Sequence, residues 1–118
     1  MTLAGLLIGS MCSVKAQNII SGDTFERDGI TYKIWGIDAP AQSQTCHGKW
    51  PAGEKSIQAM RDLLRPGSYR CEGDQKDSQG RIVTVCRSEG GDLGATMVRR
   101  GMAWATRGLS KGYVVEEA

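Results

Sequence analysis

The chain has 118 residues, the length of one small domain. Its apolar fraction of 40% is enough for one modest core, and 24% charged residues without any low-complexity tract argue against a disordered chain. The formal net charge of +2 is too small to indicate a nucleic-acid partner by itself.

The composition of residues 1–16 is typical of a secretory signal segment that has been truncated. Apolar residues run to Met11, and small residues precede Gln17 as a signal peptidase prefers, but the usual charged start is missing. The segment is too short to span a bilayer as a helix. Alternatively, residues 14–20 form a first strand. We expect a secreted or periplasmic chain whose mature form, residues 17–118, is one domain without membrane contact.

Three short strands come first in the mature chain. The sequence NIISGDTFERDGITYKIWGID contains a Ser-Gly-Asp turn at 21–23 and an Asp-Gly turn at 28–29. Residues 24–27 and 30–37 are rich in β-branched and aromatic side chains, which favour strands. The pattern predicts a three-stranded meander.

A helix is predicted next, opened by Pro51 and Glu54 and stopped by Arg-Pro-Gly at 65–67. Its apolar residues recur at spacings of three and four; they are Ile57, Met60 and Leu64. Two further strands, 68–72 and 82–87, flank a polar loop. A second helix and a final helical turn are predicted after these strands, so two to three helices are expected in total.

The second helix is predicted to begin at Asp92, an N-cap residue, and to end at Gly101. Leu93 and Met97 would face inward, and a final helical turn is expected near Lys111. Five short strands with interposed helices predict a mainly β fold with helices (α+β). The count fits a five-stranded barrel of the oligonucleotide-binding (OB-fold) type with packed helices.

The cysteines predict a disulfide between Cys71 and Cys86. Both lie in apolar-alternating stretches that can return as a hairpin, which brings two cysteines within bonding reach. Closing that loop would contribute about 3 kcal/mol. Cys46 is either a free thiol or a partner of Cys12. Structural zinc is not expected, because the chain has no Cys-x-x-Cys spacing and one histidine.

Asp23 and Asp38 are candidate metal ligands. Asp23 lies in a turn between strands and Asp38 lies just past the end of one, so a meander can bring both to one rim. Two carboxylates with a backbone carbonyl and waters suit a hard divalent cation, and calcium is favoured by all-oxygen ligands. Taken singly, each aspartate is also an ordinary turn residue.

Five segments resemble the thermonuclease (staphylococcal nuclease-like, SNase-like) family in order and spacing: SGDTF, YKIWGIDAP, AGEKSIQAM, DSQGRIVTVC and DLGATMVRRGMAWA. The resemblance covers about residues 17–115. The resemblance implies the five-stranded OB-type barrel and Ca²⁺-dependent hydrolysis of phosphodiester bonds in DNA and RNA. Family members usually continue their last helix further, so it also implies a shortened C-terminal helix.

By position, the resemblance assigns Asp23 and Asp38 as the calcium carboxylates and Ala39 as the residue whose backbone carbonyl joins them. It assigns Arg81 as the arginine that holds the phosphate and stabilises charge in the transition state. A planar, bidentate guanidinium suits a phosphate with several oxygens to satisfy. Without the resemblance, Arg81 would be interpreted as a solvated strand-end arginine.

Two positions depart from the family pattern. The second catalytic arginine falls on Lys33, which keeps the charge but loses the fork. The carboxylate that activates the attacking water falls on Ala41, which can neither accept a proton nor orient water. General acid–base help is worth about 10² to 10⁴ in rate, so impaired hydrolysis is expected. Gln42 is no base at neutral pH, and His47 is more simply an exposed loop histidine.

The expected substrate is single-stranded DNA or RNA, bound by a monomer. The family often has an aromatic residue beside the phosphate arginine, where Gln79 stands here. Trp104, Arg107 and Tyr113 could supply stacking or cation–π contact instead. Arg81, Gln79, Arg107 and Tyr113 form the predicted nucleic-acid-binding set.

Two other classes of function stay open from the sequence. One is an inactive homologue that keeps the barrel and binds nucleic acid or nucleotides without hydrolysis. The other is a structural interaction domain, which would leave Asp23, Asp38 and Arg81 unexplained as a set.

Overall fold

The computed structural model of the chain describes residues 17–65 and 67–106. The predicted signal segment and the helical turn near Lys111 lie outside the described residues. Within them, neither α-helix has the length and apolar character needed to cross a membrane.

The described residues form eight strands and two α-helices. The strands are β1 Gln17–Ser21, β2 Thr24–Arg27, β3 Ile30–Ile34, β4 Ile37–Asp38, β5 Arg70–Lys76, β6 Ile82–Ser88, β7 Gly91–Asp92 and β8 Trp104–Ala105. The helices are α1 Ala52–Leu63 and α2 Leu93–Arg99, and a short 3₁₀ turn, His47–Lys49, precedes α1.

The main sheet has the strand order β1-β2-β3-β6-β5, with β7 added to β6. Its neighbours are antiparallel except β3 and β6, which run parallel. β4 and β8 form a separate antiparallel pair. The predicted α+β fold is confirmed. Among the described residues β1 and β5 do not pair, so the five-stranded path is of the partly open kind.

One core lies between the sheet and the two helices. Its fully buried large side chains come from every layer: Phe25, Ile34, Ile37, Met60, Leu64, Leu93 and Met97. The apolar spacing that predicted α1 therefore marks its buried face. The predicted N-cap of α2 is also confirmed, because the Asp92 carboxylate accepts the Gly94 N–H at 2.7 Å.

The strand predicted over residues 30–37 is wrong as a single element. Gly36 has φ 85°, a left-handed conformation that breaks the strand after Ile34. Trp35 N–H donates to the Thr84 carbonyl at 2.9 Å, and the chain then leaves the main sheet as β4. This break places Asp38 opposite Trp104 of β8 rather than in the main sheet.

The fourth predicted strand, residues 68–72, is longer in the structure and reaches Lys76. The register shifts between Glu72 and Gln75, around Gly73. A side chain at Gly73 would bring its Cβ to 2.1 Å from the Val83 carbonyl oxygen, so only glycine fits there. β5 and β6 therefore extend as one hairpin to the loop before Arg81.

Cys71 and Cys86 face each other in that hairpin and are joined by a disulfide with an S–S distance of 2.01 Å. Cys86 is fully buried, so the bond lies against the core. Cys46 is exposed in the loop before α1, and its alternative partner Cys12 lies outside the described residues.

Candidate nuclease site

Asp23 lies at the β1–β2 turn, where α1 packs closely against the backbone. The turn depends on Gly22, because a Cβ there would lie 1.7 Å from Ser56 Oγ and 2.9 Å from the Ala39 side chain. Ser56 in turn donates to the Met102 carbonyl at 2.7 Å. The missing side chain at Gly22 thus lets helix, turn and the segment after β4 meet.

The Asp23 side chain is only 10% exposed, and both of its carboxylate oxygens accept hydrogen bonds. Oδ1 accepts from Ser21 Oγ at 2.6 Å and from Thr24 Oγ1 at 2.8 Å. Oδ2 accepts the Ala39 N–H at 3.0 Å. This last bond joins the two segments that carry the predicted metal ligands. The structure therefore brings Asp23 and Ala39 together.

Asp38 is the open member of the pair, with 48% of its side chain exposed. It ends β4, and its Oδ2 accepts from Thr106 Oγ1 at 3.3 Å. Trp104, directly opposite Asp38 across the β4–β8 pair, is 46% exposed. Opposite residues of an antiparallel pair project to the same side, so an exposed indole stands beside this carboxylate.

Lys33 lies between the two carboxylates. Its Nζ is 3.6 Å from Asp23 Oδ2 and 3.6 Å from Asp38 Oδ1, with only 15% of the side chain exposed. The same ammonium donates to the backbone carbonyls of Ile34, at 3.1 Å, and Ile37. Asp23, Asp38 and Lys33 thus form one group, in which a single ammonium faces two carboxylates.

Arg81 is held at the start of β6 by Asp77. Asp77 accepts Arg81 Nε at 2.7 Å through Oδ2, and the N–H groups of Arg81 and Gln79 at 2.9 Å each through Oδ1. Partial removal from water raises the pKa of Asp77, but the hydrogen bonds and the positive charge of Arg81 outweigh it. The pKa of Asp77 consequently lies below its ordinary value.

The register of the sheet relates Arg81 to Lys33. Lys33 pairs with Val83, and Arg81 lies two residues before Val83 and directly precedes β6, so continued alternation would put the two side chains on one face. Arg81 lines an open cleft of about 550 Å³ together with Gln79 and Lys76. The site therefore has two parts: the carboxylate rim with Lys33, and this cationic cleft.

The loop from 39 to 50, which carries Ala41, has no Asp or Glu. It is fixed against the start of α1, where a Cβ on Gly53 would lie 1.8 Å from the Ala41 carbonyl oxygen. The Gln44 N–H also donates to that carbonyl, at 2.9 Å. Ala41 and His47 are both exposed. The loop is held in place but supplies no carboxylate to the rim.

The donor chemistry of the rim fits a hard divalent cation. Asp23, Asp38 and the Ala39 carbonyl would offer oxygen atoms, as Ca²⁺ prefers. Within residues 17–65 and 67–106 no cluster of three or more His, Cys, Asp or Glu side chains is present, so further ligands would be carbonyl oxygens or water. The Lys33 ammonium lies beside the same two carboxylates, 3.6 Å from an oxygen of each.

Sequence reasoning missed several residues of the site. Asp77 could have been predicted, because it lies four residues before Arg81 with a glycine turn between them. An aspartate in that position can accept hydrogen bonds from both the side chain and the backbone N–H of the arginine. Thr106 had no signal, since 68 positions separate it from Asp38. Arg107 and Tyr113 of the predicted nucleic-acid-binding set lie outside the described residues.

An open five-stranded path with an ionic rim at the β1–β2 turn and an arginine at the start of β6 defines a small OB-type domain. Residues 31–116 match the sequence pattern of the family called staphylococcal nuclease homologue. The chain belongs to this family, which confirms the resemblance to thermonucleases.

A relative from Haemophilus influenzae, described as an uncharacterized endonuclease, is 28% identical over 109 residues. The matched region is 88% of this chain and 58% of that relative. The chain thus spans little more than half the length of that protein. These similarities support a nuclease function in general.

Proposed function

We propose that this domain hydrolyses phosphodiester bonds of single-stranded DNA or RNA with Ca²⁺, and does so slowly. The observation that carries the proposal is the joined rim of Asp23, Asp38, Ala39 and Lys33, next to the strand that Arg81 directly precedes. We further propose that the chain acts as a secreted or periplasmic monomer, in keeping with the signal-like start and the disulfide.

Each residue has a role that its surroundings support. Asp23, Asp38 and the Ala39 carbonyl would hold the calcium ion, which when bound polarises a phosphodiester oxygen. Arg81 binds the phosphate through the part of its guanidinium that Asp77 does not use, since Asp77 accepts from Nε. Lys33 adds a second positive charge but not a bidentate contact.

Slow turnover follows from the water-activating position. Ala41 has no acid or base, and its loop contributes no carboxylate from residues 39–50. Charge stabilisation by Arg81 can still accelerate the reaction, because such donors contribute about 10² to 10³ in rate by themselves. A second candidate function, binding of nucleic acid without hydrolysis, is favoured by the same alanine.

The test is cleavage of a fluorescent single-stranded oligonucleotide by the purified protein, with Ca²⁺ or with a chelator. We expect slow cleavage that the chelator abolishes and that Arg81→Ala lowers by about 10² or more. Arg70→Ala is the matched control, because Arg70 is exposed at the opposite end of the β5–β6 hairpin. Oligonucleotide binding without any cleavage would favour the second candidate, and the absence of both would contradict the proposal.

A further inference from the structure

Lys33 occupies the place between the two rim carboxylates that a bound cation would need. We propose that the Lys33 ammonium and a divalent cation are alternative occupants of the Asp23–Asp38 pair, so that a cation binds only by displacing the lysine. This inference rests on the proposed function, which assigns the two aspartates as cation ligands. It adds a residue that sets the affinity and consequences of cation binding.

The two occupants would use the same carboxylate oxygens. Nζ is 3.6 Å from an oxygen of each carboxylate. An ion at the usual bonding distance of about 2.3–2.6 Å from the same oxygens would lie within about 6 Å of Nζ. Two positive charges within this distance repel each other, and the repulsion is strongest on the Asp23 side, where the carboxylate side chain is only 10% exposed.

Lys33 is a largely buried counter-ion of the two carboxylates, held in place by further hydrogen bonds. Its side chain is 15% exposed, and two backbone carbonyls, those of Ile34 and Ile37, accept hydrogen bonds from its ammonium. These carbonyls flank the break at Gly36 that separates β3 from β4. The lysine thus offsets one of the two negative charges of the rim and ties β3 to β4.

Displacement would give the lysine a new partner. Lys33 belongs to β3, which pairs with β6 next to Arg81, so its displaced ammonium would remain on the Arg81 side of the site. In the proposed reaction, the anion available to it there is the phosphate of the substrate. Binding of the cation to Asp23 and Asp38 would then free the Lys33 ammonium to bind phosphate. By reciprocity, phosphate that holds Lys33 away should tighten cation binding by the same factor.

The test measures Ca²⁺ binding by calorimetry in the unaltered chain, in Lys33→Gln and in Lys55→Gln. Glutamine keeps a donor for the backbone carbonyls but removes the charge. We expect Lys33→Gln to bind Ca²⁺ about tenfold more tightly or better. Lys55→Gln, which removes the same charge from an exposed site on α1, should bind as the unaltered chain does.

Thermal unfolding gives a second measure that does not depend on activity. Without Ca²⁺, Lys33→Gln leaves the carboxylates uncompensated and should melt below the unaltered chain. Adding Ca²⁺ should raise its Tm by more than it raises that of the unaltered chain, because the tighter site is filled more completely. If the variant fails to fold, a Ca²⁺-loaded crystal structure of the unaltered chain decides, and it should show Nζ moved away from at least one carboxylate.

Equal or weaker Ca²⁺ binding by Lys33→Gln would overturn the inference, as would a Ca²⁺-loaded structure with Nζ still beside both carboxylates. Ca²⁺-dependent cleavage by the unaltered chain combined with either result would leave the proposed function standing. If no variant binds Ca²⁺ and the unaltered chain does not cleave, both the inference and the proposed function fail.

Discussion

Asp77 is the residue that fixes Arg81, since it accepts from both the main chain and the side chain of that arginine. It does so as a carboxylate, which is why its pKa is lowered. Asp77 is therefore a positioning residue, and Arg81 is the group expected to touch the phosphate. A preorganised guanidinium loses less freedom when it binds an anion.

We expect Asp77→Asn to lower stability near neutral pH, with the difference disappearing in acid. A carboxyl whose folded pKa is depressed stabilises the fold above its unfolded pKa of about 3.9, and that stability is lost as pH falls through the folded pKa. Urea unfolding midpoints at pH 7 and at decreasing pH below about 4 measure this.

Asp74→Asn is the control for this experiment, because Asp74 is exposed on the same strand β5. Its unfolding midpoint should differ little from that of the unaltered chain at any pH. A gap between Asp77→Asn and the unaltered chain that stays constant from neutral to acidic pH would contradict the role of the Asp77 charge.

Trp104 is the exposed aromatic residue beside Asp38, and we expect it to stack on a base of bound single-stranded nucleic acid. Trp104→Ala should weaken binding of a cleavage-resistant oligonucleotide by about 1–3 kcal/mol, measured by fluorescence anisotropy. Trp50→Ala is the matched control, since Trp50 is 40% exposed before α1. Equal losses in both variants would argue against a specific stack.

At the scale of elements, the β5–β6 hairpin carries both the disulfide and the loop that presents Arg81. We expect the double variant Cys71→Ala/Cys86→Ala to lose about 3 kcal/mol of unfolding free energy, because the disulfide closes a loop of 15 residues in the unfolded chain. Chemical denaturation with and without reductant measures the loss.

Cys46→Ala serves as the control for the disulfide, because Cys46 is exposed. Its stability should match that of the unaltered chain, and reductant should still destabilise it. If the double cysteine variant were as stable as the unaltered chain under oxidising conditions, the disulfide would not contribute to the fold as argued.

The elements that local patterns define were predictable from the sequence. Helix α1 and the three-stranded meander follow from apolar spacing and from glycine turns, which act over a few residues. The C-terminal half of β5 was not predictable, because Gly-Asp-Gln-Lys has low strand propensity and is extended only by pairing with β6. β8 was also not predicted, because it is extended only by pairing with β4, which is distant in sequence.

At the scale of the whole molecule, the order of strands and the family resemblance predicted that Asp23 and Asp38 lie at the same rim. The place of Lys33 between them did not, because it depends on the break at Gly36 that swings β4 out of the main sheet. The sequence shows which charges are present, whereas tertiary packing decides which of them neutralise each other.

The whole domain combines a family fold with a site that departs from the family pattern at Ala41 and Lys33. Lys33 contacts both carboxylates, Arg81 precedes the strand that pairs with β3, and the loop with Ala41 packs against the start of α1. This loop positions no base for the attacking water, because residues 39–50 contain no Asp or Glu. A carboxylate introduced at position 41 should therefore raise the rate without any other change.

The most direct measurement is therefore the rate of Ca²⁺-dependent cleavage of a single-stranded oligonucleotide by Ala41→Glu, compared with the unaltered chain. Ser43→Glu, which adds the same charge to an exposed position of the same loop, is the control. We expect Ala41→Glu to cleave about 10² to 10⁴ times faster and Ser43→Glu to show no gain. An unaltered chain that already cleaves as fast as Ala41→Glu, while both bind the oligonucleotide equally, would contradict the claim and show that another group activates the water.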